Sequence, residues 1–469
     1  MDPVVIIGAG PAGVAAAYEL AKNGVPSVVV ERADRVGGLS RTLPHNGALW
    51  DLGPHRFFTR NQEIRQLFTD ILGPDAMVVD RLTRIFYEGK LFNYPISLLD
   101  TLQKVGPAQA MAFVGSYLGQ RLINLVHRRE PKSFEDWTVA QFGRSLFNAF
   151  FKTYTEKVWG IPCTQIGAEW ASQRIKGLSL AQIIRNALFK PKDTAKSLVE
   201  QFQFPRLGAG MFYEQMAAQA VAGGAEILLN TRAVGFRHEA RRVVALQVER
   251  DGHTEEIACT HLLTSNPITH VPSMADPQAP PEVLAAAKSL RYRCHMSVNL
   301  LVEGEIFPDN WIYVHSKEVV FGRIADYANF SPAMKDPQGR HPLTVEYFQF
   351  PDDELYCNPD DAAVVEFAKG ELKKMGLVQP EQVVDGFVVR SRYAYPVLEI
   401  GYAPHMQTVR AYVDSFENLQ AIGRGGMFKY NNQDHSIATG LLAARNILGA
   451  HHDVWAVNID AEYHEDGKA

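Results

Sequence analysis

Cysteine is scarce: the 469 residues contain four, Cys163, Cys259, Cys294 and Cys357, and no two are close in sequence. Thiolate pairs at zinc-ligand spacing are therefore missing, as is a disulfide framework, so no metal is expected and a reducing, cytoplasmic setting fits best. Long apolar runs are missing too. No stretch approaches the ~18 to 20 apolar residues that cross a bilayer, and the opening "MDPVVIIGAG" carries no charged-then-apolar leader, so neither a transmembrane segment nor an export signal is expected. The most apolar helical stretch, "AQAMAFVGSYLGQRLINLVHRR" at 108–129, is interrupted by glycines, Gln120, Arg121 and Asn124. It reads as a buried or interfacial helix rather than one lying on a membrane. There is no excess of one charge: 47 Lys+Arg against 52 Asp+Glu leave a net charge of -5, which argues against a basic surface for nucleic acid. Internal repeats and low-complexity linkers are absent as well.

The composition that remains, 46% hydrophobic and 21% charged, is that of a globular protein. The chain is too long for one simple core, so roughly two or three substructures are expected. Its start is informative. A β-branched run, Val4 to Ile7, leads into "GAGPAG", then an apolar helix "VAAAYELAKNG", then a second run "VPSVVVE". This is the pattern of a βαβ unit. Gly8 permits the tight turn, Gly10 lets a pyrophosphate approach the backbone, and Gly13 allows close helix packing. Glu31, 18 residues beyond Gly13, can accept from ribose hydroxyls.

The next segment, "ERADRVGGLSRT", places Gly37-Gly38 just after that acid, followed by Ser40 and Arg41. Nicotinamide dehydrogenases need no such doublet there. The segment resembles that of two-domain flavoproteins of the amine oxidase superfamily, which points to FAD. "GAGM" at 208–211 lacks the third glycine of a second dinucleotide site, so any NAD(P)H acting as reductant would bind without a Rossmann domain of its own. Near the C-terminus, "GRGGMFKYNNQDHS" follows a strand and opens a helix. Its first amides, near Asn432 to Ser436, could face a flavin carbonyl; alternatively Asp434 or Ser436 simply caps the helix.

Between these ends, residues 60–73 and about 98–200 follow a helical period, whereas short alternating runs with turn residues return after about 229. The expected architecture is α/β: a Rossmann-type FAD-binding domain with an inserted helical domain and a mixed or antiparallel β-sheet substrate domain. The FAD-binding part would comprise 1–90 with 205–285 and 405–469. The helical insert would be 91–204, with 176–200 as a candidate moving lid, and the substrate sheet 286–404.

Several segments, in order, resemble those of UDP-galactopyranose mutases: "WDLGPHRFFT" (50–59), "GKLFNYPIS" (89–97), "YTEKVWGIPCTQIGAEWASQRIKGLS" (154–179), "WIYVHSKEVVFGRIADYANFSP" (311–332), "RYAYPVLE" and "GMFKYNNQDHS". The resemblance runs from residue 4 to about 447 and mixes features of the family's bacterial and eukaryotic branches. It implies a flavin-dependent interconversion of pyranose and furanose forms of a nucleotide diphosphate-sugar without net redox change, with N5 of the reduced FAD as nucleophile. It implies His55 against the isoalloxazine and Arg174 and Arg323 on the diphosphate. It further implies Asn93, Tyr154, Trp159, Tyr313, Tyr395 and Tyr430 around the substrate. For the cofactor it adds Ala12, Arg32, Leu39, Val234, Gly423, Arg424 and Gln433 to Gly8, Gly10, Gly13, Glu31, Gly38, Ser40, His55, Asn432 and Ser436.

Paired guanidinium groups suit a departing diphosphate, and Tyr154 with Trp159 would offer a ring face for a uracil. Read from the residues alone, those two could equally be core aromatics at helical spacing, and His55 could make only a structural hydrogen bond. Cys163 reads as an inert small residue. Two other functions fit the same scaffold: an FAD-dependent oxidoreductase of the amine oxidase or protoporphyrinogen oxidase type, and a flavin-free binder like the GDP dissociation inhibitors. Self-association is left open by the sequence.

Overall fold

The computed structural model describes residues 2–94, 98–126, 130–168, 170 and 201–458. The candidate lid at 176–200 lies outside them. At the centre of the nucleotide-binding part is a five-stranded parallel sheet in the order Leu419–Ala421, His261–Thr264, Val4–Ile7, Ser27–Val30, Glu226–Leu228. All four residues of Val4–Ile7 and of Ser27–Val30 are buried. Such runs of valine and isoleucine, with no polar alternation, belong to strands covered on both faces.

One cover is helix α1 (Pro11–Lys22), which leaves the glycine turn with Pro11 in its first position, where the missing amide costs nothing. The C-terminal helix α3 (Gln433–Ile447) packs against it so closely that a Cβ on Gly440 would lie 2.1 Å from the Ala12 carbonyl oxygen. Gly13 has the same character, since a Cβ there would sit 1.9 Å from the Gly8 carbonyl oxygen.

A seven-stranded mixed sheet forms the second layer: Val383–Pro396, Tyr292–Val302, His341–Gln349, Arg323–Asp326, Trp311–Val314, Thr83–Tyr87, Lys90–Asn93. Its pairs are antiparallel except Trp311–Val314 with Thr83–Tyr87. The hairpin 83–93 therefore joins this sheet, although the sequence reading set its first strand in the nucleotide-binding part and its second in the helical insert. Alternation around the Glu88-Gly89 turn announces a hairpin but not the sheet that receives it.

The helical block contains Leu98–Val105, α2 (Pro107–Val126), Phe134–Phe142, Arg144–Phe147 and Thr153–Trp159. Ser133 and Asp136 form a reciprocal capping box at the start of Phe134–Phe142. Gly160, at φ 66°, ends the helix Thr153–Trp159; a Cβ there would sit 2.3 Å from the Arg293 guanidinium. Among the described residues no helix is long and apolar enough to cross a membrane.

Candidate active site

A cavity of about 770 Å³ opens at the carboxyl ends of the parallel strands, the edge where such sheets bind ligands. Of the cofactor candidates named from sequence, Gly8, Gly10, Ala12, Glu31, Arg32, Gly38, Leu39, Ser40, His55, Val234, Gly423, Arg424, Asn432, Gln433 and Ser436 line it. Gly13 does not; its place is in the packing of α1. The two glycine turns meet at the cavity, where a Cβ on Gly38 would lie 3.0 Å from Gly10 Cα. Glu31 is pinned by the amides of Ala9 (2.8 Å) and Ala33 (2.9 Å), which fixes the carboxylate at the cavity wall. No side chain caps α1 at Gly10, so its first amides are left for an anion. At α3 the first turn is closed by the Asn432 amide donating to His435 Nδ1 (3.2 Å), so neither Asp434 nor Ser436 is the capping residue. Ser265, Asn266, Arg41, His270 and Arg392 also line the cavity. Arg41 follows the glycine doublet already quoted, whereas Ser265, Asn266, His270 and Arg392 carry no motif of their own and are brought to the cavity by the fold.

His55 links this cavity to the second layer. Its carbonyl accepts from Gln433 Nε2 (3.3 Å), whose Oε1 accepts from Tyr213 (2.6 Å). Burial holds the imidazole down at about 3, with Glu346 opposing and Arg424 and Arg323 reinforcing, so the ring is neutral near pH 7. Its Nδ1 has no hydrogen-bond partner among the described residues. Gly53 leaves room there: a Cβ on it would meet Glu346 Oε2 at 3.0 Å and His55 Cε1 at 3.8 Å.

Arg323 stands opposite Glu346 in the strand register, and its Nη2 donates to Glu346 Oε2 (2.6 Å) and to the Tyr395 hydroxyl (3.3 Å). Burial is the largest single influence and would lower the guanidinium pKa, but Glu346 together with Tyr395, Tyr154 and Tyr430 outweighs it and the group is held above its ordinary value. Burial would raise Glu346, yet Arg323 and then His295, whose Nε2 is 2.9 Å away, keep it below the ordinary carboxylate range. Arg323 Nε and Glu346 Oε1 remain without partners among the described residues.

Aromatic rings tie the remaining positions together. Tyr395 stacks on Tyr430 (5.4 Å, 19°), and the Arg424 guanidinium lies 5.1 Å from both rings. Tyr154 lies edge-on to Tyr313 at 5.4 Å. Arg323, Tyr154, Tyr313, Tyr395 and Tyr430 thus form one wall near His55. Asn93 is exposed at the end of its strand, next to Tyr94, whose ring is 5.1 Å from Tyr313. Arg174 lies outside the described residues.

One expectation fails. Tyr154 and Trp159 do not form a shared stacking face: Trp159 is 2% exposed, closed in by Trp170 (5.1 Å) and Tyr430 (5.8 Å), and one face of Tyr154 is covered by His315 (5.0 Å, 12°). Five helical steps turn about 140°, so the two rings point to different neighbours. The stretch "YTEKVWG" does a different job. Lys157 donates to the carbonyls of Val314 (3.4 Å), Ser316 (2.6 Å) and Phe321 (3.0 Å), and burial lowers it to about 8. Glu156 accepts from the Cys163 amide (3.2 Å), and burial pushes the Cys163 thiol up, out of reactive range. The helix is therefore fastened to the sheet while Tyr154 faces the wall.

Glu346, His295 and Lys157 went unnoticed in the sequence. The signal for Glu346 was there: an acid inside the apolar run "LTVEYFQF" has to be paired.

The profile of the flavin-containing amine oxidoreductase family matches residues 11–448. The chain belongs to this family. Family membership implies FAD, and the glycine turns, the pinned Glu31 and the uncapped α1 fit that cofactor. A crystal structure of reduced UDP-galactopyranose mutase shares the fold, with a TM-score of 0.85 at 22% identity over 98% of this chain and 97% of that one. Among curated proteins, "Probable UDP-galactopyranose mutase" of Klebsiella pneumoniae is 28% identical over 172 residues, 35% of this chain and 43% of that protein. Protoporphyrinogen oxidase 2 of Arabidopsis thaliana is 38% identical over 68 residues, 14% of this chain and 13% of that protein. The matches thus span less than half the length of these curated relatives.

Proposed function

We propose that this flavoprotein interconverts the pyranose and furanose forms of a nucleoside diphosphate-sugar, with no net redox change. The observation that carries this reading is the state of the wall beside His55. Its buried carboxylate, Glu346, is paired through Oε2 with Arg323 and His295, and around it stand a second guanidinium, Arg424, and the rings of Tyr395 and Tyr430, so cations and phenols outnumber the acid. Such a wall suits a diphosphate rather than the cationic substrate of an amine oxidase. The mutase relatives and the shared fold support the same reading.

When bound and reduced, FAD supplies N5 as a nucleophile toward the anomeric carbon. The chain's own part is to hold and to neutralise. Arg323 offsets the charge that grows on the departing diphosphate, Tyr395 and Tyr430 complete the cradle, and Arg174 serves as the second cation. The unpartnered Nδ1 of neutral His55 is available for a hydrogen bond that orients the flavin.

The test incubates dithionite-reduced enzyme with a panel of nucleotide sugars and separates pyranose from furanose products. Conversion by the reduced enzyme is expected. In the oxidised enzyme Arg323→Ala should weaken UDP binding by about tenfold or more, as loss of a charge-assisted contact predicts, with flavin still bound. Turnover that needs oxidised flavin and consumes oxygen, or UDP affinity unchanged in Arg323→Ala, would remove the proposal.

A further inference from the structure

Lys157 spends its ammonium on main-chain carbonyls rather than on an acid. They belong to Val314 (3.4 Å), Ser316 (2.6 Å) and Phe321 (3.0 Å), in or beside the loop 315–322 that joins Trp311–Val314 to Arg323–Asp326. An ammonium has three N–H groups and no acceptor, so three carbonyls satisfy it completely. Burying a charge without a paired acid is costly, and a loop fastened only for stability needs no ionisable group to hold it.

What the ammonium gathers lies at the substrate wall. Tyr313 and Arg323 face each other across the hairpin, so the loop closes directly on that pair. Gly322 lets the helix Thr153–Trp159 in: a Cβ there would sit 2.8 Å from the Phe348 ring and 3.8 Å from that of Tyr154. Tyr154 stands three positions before Lys157, on the same helix face. Its ring lies edge-on to Tyr313 (5.4 Å) and stacks on His315 (5.0 Å), a residue of the same loop. One ammonium therefore ties the helix that carries Tyr154 to the strands that carry Tyr313 and Arg323. The loop is also held by an acid: Glu371, on the helix Asp361–Met375, accepts from the Val320 amide and from the Tyr347 hydroxyl (2.9 Å). We infer, on the reading of this wall as a diphosphate cradle, that Lys157 is a positioning residue: its charged amine sets Tyr154, Tyr313 and Arg323 in one geometry, and loss of its proton releases them and weakens substrate binding.

A neutral amine keeps two N–H groups and turns a lone pair on the third carbonyl, which is why deprotonation opens the clamp. Burial lowers Lys157 to about 8, with Glu371 opposing. Burial also raises the Glu371 carboxyl. His315 is held neutral, down at about 3, by burial and then by Lys157, and burial lifts the Tyr347 hydroxyl well above its ordinary range, so neither of these two titrates between pH 7 and 9.

The test measures UDP affinity of the oxidised, flavin-loaded protein by calorimetry across that range. If only the protonated form binds, affinity falls about tenfold from pH 7 to pH 9. Lys429 is lowered to about 8 by burial as well, where it donates to the Trp455 and Val457 carbonyls beside Tyr430, so variants assign the fall. Lys157→Met, similar in length and without the charge, should bind UDP at pH 7 as weakly as wild type does at pH 9, with no further fall and an unchanged flavin spectrum. Lys429→Met should keep the fall. Wild-type affinity level across the range, a fall that persists in Lys157→Met, or one that is lost in Lys429→Met would overturn the inference. Wild type and Lys429→Met decide the matter even where Lys157→Met does not hold its flavin. UDP that fails to bind wild type at pH 7 would instead remove the diphosphate reading of the wall, and the role of Lys157 with it.

Discussion

Arg323 and Glu346 are mutually dependent, and what each contributes is best read from the consequence of removing it. In Glu346→Ala a buried guanidinium loses its counter-charge, and in Arg323→Ala a buried carboxylate does; breaking such a pair from one side costs about 3–5 kcal/mol. Removing both leaves neither charge stranded. Arg323→Ala/Glu346→Ala should therefore be more stable than the sum of the single changes implies, by about 2 kcal/mol or more. Thermal unfolding of the four proteins, each with its flavin content measured, gives this coupling, and additive losses would mean that the pair is open to solvent. The ligand readout separates the roles: UDP binding should be weakened in Arg323→Ala and stay as weak in the double variant, because restoring stability does not restore the cation. Arg323 could be singled out from its segment, "VVFGRIADY". The pairing could not, although Glu346 stands out as an acid in an apolar run: it is 23 positions away and only the register of two antiparallel strands makes the two neighbours.

The nucleotide-binding elements were legible for the opposite reason: strand, glycine turn and helix are contiguous, so one local pattern carries the whole geometry. The helix α3 was legible as a helix, but its packing on α1 through Gly440 was not, because nothing near residue 440 refers to residue 12. The hairpin 83–93 and the two faces of "YTEKVWG" were hidden likewise, being settled by what packs against them. The α1–α3 contact makes its own prediction. Both helix N-termini line the cofactor cavity, through Pro11 and Ala12 and through Gln433 and Ser436. Gly440→Ala drives a methyl into the Ala12 carbonyl and must part the helices, an overpacking that costs about 1–3 kcal/mol. The purified variant should carry less flavin per chain than wild type and unfold at lower temperature. Full flavin occupancy with an unchanged midpoint would show that the helices separate without disturbing the cradle.

Across the whole molecule, buried titratable groups set how stability depends on pH, and they pull in opposite directions. Burial holds His55 and His315 at about 3, well below the 6.5 of an exposed imidazole. Between those values the unfolded chain binds two protons that the folded chain refuses, so this contribution is present above pH 6.5 and is lost as the pH falls. Asp51 does the reverse: burial raises it to about 7 against the Thr42 hydroxyl and the Ala209 amide, from 3.8 when exposed. In the same window the folded chain keeps a proton there that the unfolded chain releases, which favours folding at lower pH. Two protons against one leave a net uptake of about one on unfolding near pH 5. From these three groups stability should therefore rise with pH, by about 1.4 kcal/mol per unit near pH 5 and less steeply as the pH approaches 6.5. Asp51→Asn removes the opposing group and should about double that slope, whatever it does to the midpoint at a single pH. Thermal midpoints of the flavin-loaded protein and of the variant, measured across this window, decide the matter. A wild-type slope that is flat or negative would mean that the two histidines reach water in the folded chain, and an Asp51→Asn slope no steeper than wild type would mean that the Asp51 carboxylate is ionised inside it.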